Sequence, residues 1–361
     1  MYSVFLREIQ NYSSIELENF VDNFFIQNMY IFEKVEKILL KPNILQGCSP
    51  ERGVTTNPEF IEKIILSIKK IKPFEIFLGD SPGANFGNYE DVLKKTKILE
   101  VCNKHGVGIV KFENYPPLKI GSFIISSVIN EMDLIVNLPK LKTHSLTGLT
   151  LGVKNLFGLV PGTNKVTYHR NMPKDVMLAE AIYHIYKIVE EKTVCILDGI
   201  IAHEGDGPSR GNPTKLGIVM ASTCEVALDM AVCRMMELEE EFCLTNKAAL
   251  NDGFDKSMIK IDNPHIRRKI KLPMAKSVMK VPERLKQFLA NKIYVKPYVN
   301  NNCTKCLLCL KSCPVGAVQI STDKNVFIND EKCVECFCCH EVCESSAIDL
   351  KRSLLHRLVV K

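Results

Sequence analysis

Cys303-Thr304-Lys305-Cys306-Leu307-Leu308-Cys309-Leu310-Lys311-Ser312-Cys313-Pro314 decides how the carboxyl-terminal part of the chain folds, because its spacing returns at Cys333, Cys336, Cys339 and Cys343. In each run three cysteines stand at three-residue steps and a fourth follows after a four-residue step. Thiols packed at this density read as metal ligands. Between the runs, Ala317-Val318-Gln319-Ile320 and Val326-Phe327-Ile328 read as a hairpin across polar residues 321–325. Ala347-Ile348-Asp349-Leu350 mirrors Ala317-Val318-Gln319-Ile320, so the segment is an internal repeat. The second copy departs from the first at Glu344, which replaces Pro314, and at Cys338, an extra thiol.

The doubled spacing resembles bacterial ferredoxins. That resemblance implies two 4Fe–4S clusters with crossed ligation, in which the fourth cysteine of each run serves the other cluster. One cluster would take Cys303, Cys306, Cys309 and Cys343; the second would take Cys333, Cys336, Cys339 and Cys313. A single run could equally hold zinc; two runs, the first closed by Pro314, point to clusters. Glu344 would place negative charge beside a cluster and favour its oxidised state. Cys338 reads as a buried spectator, with ligand substitution as the alternative. Single-electron chemistry follows, and with it a protein that donates or accepts electrons.

A chain of 361 residues suits one large and one small domain. We expect an α/β domain over residues 1–255, a basic connector over 256–297 and a ferredoxin-type domain over 298–352. Apolar content of 46% and charged content of 24% are globular values, so a substantial core is available. Nine of the 15 cysteines lie between Cys303 and Cys343, and Cys48, Cys102, Cys195, Cys224, Cys233 and Cys243 show no pairing rhythm. With neither a signal-peptide layout at the amino terminus nor a membrane-spanning apolar run, a reducing cytoplasm is expected. The formal charge of +6 counts cysteines as neutral, and cluster thiolates lower it, so a nucleic-acid partner is not expected. Residues 256–296 carry twelve Lys or Arg against two acids, whereas 300–350 carry four against seven. The basic stretch reads as a connector lying against the acidic module, or as a docking face for an acidic donor or an anionic membrane.

The first three hundred residues alternate apolar strands with amphipathic helices. Residues 37–40, 75–78, 108–112, 133–137, 194–197 and 216–220 read as strands. Ile61, Ile64, Ile65, Ile68 and Ile71 repeat at helical spacing behind an Asn57-Pro58-Glu59 cap, and Ala179, Ile182, Tyr183, Tyr186 and Val189 mark another helix. This argues for an open, mostly parallel α/β sheet domain, followed by the small α+β ferredoxin-like one. Polar clusters follow the strands at Lys41 and Asn43, Asp80 and Ser81, Lys140 to His144, and Asp198 to Asp206. Ligands of such sheets bind beyond the carboxyl ends of strands. The densest stretch runs from Asn137 through Lys140, Lys142, His144, Gly152 and Lys154 to Gly162, with His169 beyond. Its glycines and lysines suit an anion, and neither the Rossmann nor the Walker A spacing is present; a glycine-rich structural turn is the plainer reading. Asp198, His203, Glu204 and Asp206 could serve as acid/base groups or hard-metal ligands, or simply shape a tight turn.

Lys41-Pro42-Asn43, Gly79-Asp80-Ser81-Pro82, Leu138-Pro139-Lys140-Leu141-Lys142-Thr143-His144, Gly152-Val153-Lys154-Asn155 and His203-Glu204-Gly205-Asp206-Gly207-Pro208 resemble the domain-of-unknown-function 362 family across about residues 35–235. A ferredoxin module is a frequent carboxyl-terminal companion there, which implies a redox-associated α/β protein. A weaker similarity reaches lactate racemase-like proteins, where a lysine holds a nickel-pincer nucleotide; Lys154, Pro161-Gly162 and His169 occur in the corresponding order. The leading expectation is an iron–sulfur oxidoreductase that reduces a small anionic substrate. Lys142, His144, Lys154 and His203 would be catalytic, and Lys41, Asn43, Asp80, Ser81, Gly152, His169, Asp198 and Asp206 would contact a cofactor or ligand. Its rivals are an electron carrier or assembly partner without catalysis of its own, and a racemase-like metalloenzyme.

Anaerobically prepared protein should contain about eight irons and about eight acid-labile sulfides per chain. Elemental and sulfide analysis checks this; iron near four, or stoichiometric zinc, would contradict the two-cluster expectation.

Overall fold

The computed structural model describes residues 1–82, 88–162, 164–172, 175–274, 294–343 and 345–353. Among the described residues, twelve strands precede the cysteine-rich module. They are β1 (Tyr2–Glu8), β2 (Lys37–Pro42), β3 (Glu75–Leu78), β4 (Gly108–Ile109), β5 (Pro117–Ile120), β6 (Phe123–Ser126), β7 (Leu134–Leu138), β8 (Lys140–His144), β9 (Gly148–Thr150), β10 (Thr193–Glu204), β11 (Asn212–Ser222) and β12 (Ile259–Ile261). The main sheet runs β12-β1-β11-β10-β7-β2-β3-β4, with β8 pairing β10 and β9 off this path. From β10 to β4 every neighbour is parallel, while β11 is antiparallel to both β10 and β1. It is thus an open, mixed, mostly parallel sheet, the α/β architecture that the strand–helix alternation implies. Strands β2 and β7 are buried almost throughout, with apolar centres Ile38-Leu39-Leu40 and Leu134-Ile135-Val136, because helices cover both of their faces.

Helices α1 (Ile15–Gln27), α2 (Pro58–Ile71), α3 (Tyr89–Lys95) and α4 (Ile98–His105) close one face. Helices α5 (Gly152–Asn155), α6 (Asn164–Asn171), α7 (Asp175–Val189), α8 (Glu225–Met235) and α9 (Leu244–Asn251) follow; α5, α7, α8 and α9 pack on the other. Asn57 caps α2 by accepting the Glu59 amide at 2.8 Å, with Pro58 in the first turn where no amide is needed. Ile61, Ile64, Ile65 and Ile68 then point into the core.

The structure departs from the sequence reading in three places, each for a local reason. Residues 108–112 shorten to a two-residue edge strand, because the chain bonds Val110 to Leu78, the last residue of β3, and then turns away. Residues 140–144 are a strand rather than a loop, since β8 is held by both β9 and β10. The basic stretch begins as part of the main sheet, where β12 lies parallel to β1 and Ile266, Ile270 and Leu272 pack on the core. Lys292, near the expected end of the connector, lies outside the described residues.

The module after residue 294 has four short strands: β13 (Val295–Val299), β14 (Val318–Ile320), β15 (Val326–Ile328) and β16 (Ile348–Arg352). β14 and β15 form the hairpin, and β13 pairs antiparallel with β16. Two short helices, Leu308–Ser312 and Cys338–Glu341, pack together over a small core of Val318, Val326, Val342 and Ile348. The repeat extends to the backbone. Lys305 and Leu307 adopt the left-handed region, as do Glu335 and Phe337, curling each cysteine run into a cup. Glu344 lies outside the described residues.

One buried ion pair ties the main sheet together. Asp198, inside β10, accepts from Lys140 Nζ at 2.7 Å, Tyr12 Oη at 2.9 Å and the Asn57 amide at 3.0 Å. Lys140 and Asp198 are both fully buried. Burial pushes the Lys140 ammonium down from its ordinary pKa, and Asp198 opposes that shift. Asp198→Leu should therefore leave a buried cation uncompensated and cost about 3–5 kcal/mol. Urea unfolding measures it; a loss under about 1 kcal/mol would show that the pair is not what holds β8 against β10.

Candidate functional site

Two cavities in the carboxyl-terminal module each gather four cysteines. The first is lined by Cys303, Cys306, Cys309 and Cys343, with Leu307, Leu308, Val326 and Ile348 around them. The second is lined by Cys313, Cys333, Cys336 and Cys339, with Val315, Val318, Ile328 and Phe337. Each set joins three cysteines of one run to the last of the other. The amides of Ala317 and Ala347 donate to Cys313 Sγ and Cys343 Sγ, both at 3.1 Å, which suits thiolates. Among the described residues, no three His, Cys, Asp or Glu side chains stand close enough to hold a single metal ion. A cubane holds its thiolates on separate irons and needs a wider cage than zinc does, so the cups fit clusters better than one ion. Cys306 is the one exposed thiol of the eight.

A third cavity, of about 110 Å³, lies between the module and the carboxyl edge of the main sheet. That is near the scale of a benzene-sized void, ~150 Å³, and too small to enclose a dinucleotide. On the sheet side its lining includes Asn43, Asp80, Ser81, Lys142, His144, Lys154 and Lys165. On the module side it is closed by Ser312, Cys338, Glu341 and Val342. Three of the four abut cluster cysteines: Ser312 precedes Cys313, Cys338 precedes Cys339, and Val342 precedes Cys343, while Glu341 lies two residues from both Cys339 and Cys343. The wall of the pocket is therefore the chain that would wrap the metal.

The pocket is electropositive. Lys142 is buried in β8, where its Nζ donates to Asn43 Oδ1 at 2.7 Å and to the Val54 carbonyl at 2.9 Å. Burial, with repulsion from Lys154, brings its pKa down to about 7. Lys154, in α5, has no hydrogen-bond or ion-pair partner among the described residues; burial lowers its pKa, and Glu341 partly offsets this. Lys165, in α6, donates to the Ser81 carbonyl, and burial lowers it to about 8. His144 Nδ1 accepts from the amides of Leu146 and Thr147 at 3.1 and 3.3 Å, which leaves its proton on Nε2. That nitrogen stands 3.3 Å from Glu341 Oε1. Burial raises the Glu341 pKa, against the pull of Lys154 and Lys142.

Behind this lining, Lys41 pairs with Asp80 at 2.8 Å. Asp80 also accepts the amides of Ile44 and Ser81. Gly158 is pressed onto that pair: a Cβ there would lie 2.2 Å from Asp80 Oδ1 and 2.5 Å from Lys41 Nζ, so no side chain fits. Lys41 thus positions Asp80 without lining the cavity. Gly152 also stands back from it; its amide and that of Val153 donate to buried Asp229 at 2.8 and 3.1 Å, which anchors α5.

The structure brings together Asn43, Asp80, Ser81, Lys142, His144 and Lys154, and it separates the rest. Asp198 is committed to Lys140. His203, still within β10, faces the Arg52 carbonyl at 3.0 Å and is lowered to about 4 by burial. Asp206 accepts the Met274 amide at 2.6 Å and borders a different groove. The side chain of His169 lies outside the described residues. Sequence reasoning missed Lys165 and the module's contribution. Glu341 and Ser312 carry no motif signal, since their role arises only where the two halves meet. Cys338 is buried, as expected, and lines the pocket as well. The halves are latched by Ser209 Oγ on the Glu341 carbonyl at 3.1 Å and by Arg210 on the Ile348 carbonyl and Asp349 at 2.6 and 2.7 Å.

Comparison with known proteins agrees with this layout. A family model described as a domain of unknown function, DUF362, matches residues 38–234, and a 4Fe-4S dicluster domain matches residues 296–344. The thylakoid-associated protein sll1697 of Synechocystis sp. is 34% identical over 211 residues, which cover 56% of this chain and 64% of that protein. The chain therefore spans less than two thirds of that relative's length. A Thermotoga maritima protein of known crystal structure overlaps 57% of this chain and 55% of its own at 12% identity. Its TM-score of 0.36 is too low to carry an argument. No helix among the described residues is long and apolar enough to cross a membrane.

Cys313 closes the second cup while lying in the first run. Cys313→Ser should damage the cluster held by Cys333, Cys336 and Cys339 and spare the other. Electron paramagnetic resonance of the reduced variant checks this; loss of the first-run cluster alone would reverse the assignment.

Proposed function

The chain belongs to the DUF362 family and carries a 4Fe-4S dicluster domain, and from that premise we propose an iron–sulfur oxidoreductase in which two clusters relay electrons into the lysine-lined pocket, where a small anionic substrate is reduced. One observation carries the reading: of the residues that close the pocket, Ser312, Cys338 and Val342 immediately precede Cys313, Cys339 and Cys343. A carrier without catalysis of its own has no need of such a cleft beside its clusters.

Held in the two cysteine cups, the clusters supply single electrons. The rest is the work of this chain's own side chains. Lys154 and Lys142 attract and orient the anion, which returns to their ammoniums the stabilisation lost on burial. His144 holds a proton on Nε2 at the pocket wall and is placed to donate it. Phe157, Ile44, Leu45 and Val342 exclude water, which strengthens each charge contact. Asp80, fixed by Lys41, holds the far wall. Exposed Cys306 makes the first cup the natural point of approach for a partner protein that donates or accepts electrons. Cysteines that have to be thiolates to hold clusters fit a reducing cytoplasm. Of the residues behind the racemase-like alternative, Lys154 alone reaches the pocket among those whose side chains are described.

The test is reoxidation of dithionite-reduced protein by a panel of small carboxylates, phosphates and oxoanions. Wild type should be reoxidised by at least one of them. Lys154→Ala should keep its iron and its dithionite reduction yet slow that reoxidation tens- to hundreds-fold, about what loss of a buried charged contact costs. Unchanged reoxidation in the variant would sink the relay reading.

A further inference from the structure

The pocket has two cationic ends. Lys142 and Lys154 stand at the end closed by Glu341, where His144 also lies. Lys165 stands at the end built by Asp80 and Ser81. Of the two lining carboxylates, Asp80 is already taken by Lys41. Lys142 and Lys154 therefore share Glu341, while Lys165 has to share Asp80 with Lys41. Glu113 lies behind Ser81, accepts its hydroxyl at 2.7 Å and offsets part of the Lys165 charge without entering the pocket. The lining also includes apolar side chains, Ile44, Leu45, Phe157 and Val342. Repulsion from Lys41 and Lys154 lowers Lys165 further, so an anion added to the cavity relieves the crowding of its cations.

We propose that the pocket takes a small dicarboxylate, with one carboxylate on Lys142 and Lys154 and the second on Lys165, so that Lys165 selects dianions over monoanions. This rests on the pocket proposed above as the substrate site and adds the charge and shape of what it binds. A monocarboxylate leaves one end uncompensated. A compact dianion such as phosphate reaches a single end and gains nothing from the other. The apolar part of the lining suits the short carbon chain that joins two carboxylates.

The test compares succinate with butyrate, equal in carbon number and differing in one carboxylate, and adds inorganic phosphate. Binding is measured by calorimetry on oxidised holoprotein, so no electron transfer is involved. Succinate should bind about ten- to a hundredfold more tightly than butyrate. Lys165→Met should bring succinate down to the butyrate level, and Lys165→Arg should restore most of the difference. The cluster absorbance of each variant confirms that it has folded. Equal affinity for succinate and butyrate, tighter phosphate than succinate, an equal loss of both carboxylates in Lys165→Met, or no binding by any probe would each overturn the proposal. Reoxidation kinetics stand apart from this result: an anion can bind without accepting electrons, and a monoanion can accept them.

Discussion

Lysine ammoniums are drawn out of water along the carboxyl edge of one sheet, and the cost of that desolvation shapes the rest of the molecule. A buried charge needs a partner, or it gives up its proton. Lys140 and Lys41 have partners in Asp198 and Asp80. Those pairs fix β8 against β10 and set the floor of the cleft. Lys142 and Lys154 have no carboxylate of their own; they share the field of Glu341 from the other domain. The first pair serves the fold, and the second leaves an attraction for whatever anion enters.

The two halves are consequently interdependent. Helix Cys338–Glu341 is at once the wrapping of the cysteine cups and the lid of the pocket. Metal binding organises such short loops, because the ligands are brought together only in the folded cup. Arg210 and Ser209 then seat that helix against the sheet. The second copy of the repeat carries Cys338 and Glu341 where the first has Leu308 and Lys311. The repeat thus diverges on the face turned to the lysines, and an acid there suits a cationic pocket better than Lys311 would.

Much of this was legible in the chain. The cysteine runs give the module and its likeness to ferredoxins, and β3, β15 and the capped start of α2 can be read almost to the residue. Strong periodicity and covalent spacing are local signals, and they survive without a structure. What was not legible depends on distant partners. Lys140-Leu141-Lys142-Thr143-His144 looks like a polar loop until Asp198 and Asn43 supply its hydrogen bonds. Asp198 and His203 look like acid/base candidates, yet one is consumed by an ion pair and the other sits under the Arg52 carbonyl. Lys165 follows no motif, and Glu341 belongs to a domain whose cysteines command attention. Sites formed between domains leave little trace in either sequence.

The central claim is proximity between the clusters and the pocket lysines. Electron–nuclear double resonance on reduced protein labelled with nitrogen-15 at its lysine side chains measures it without any substrate. The account predicts a dipolar coupling to a lysine nitrogen that disappears in Lys154→Ala while the cluster signal is retained. A spectrum identical in wild type and variant would place the lysine pocket away from the clusters and contradict the relay.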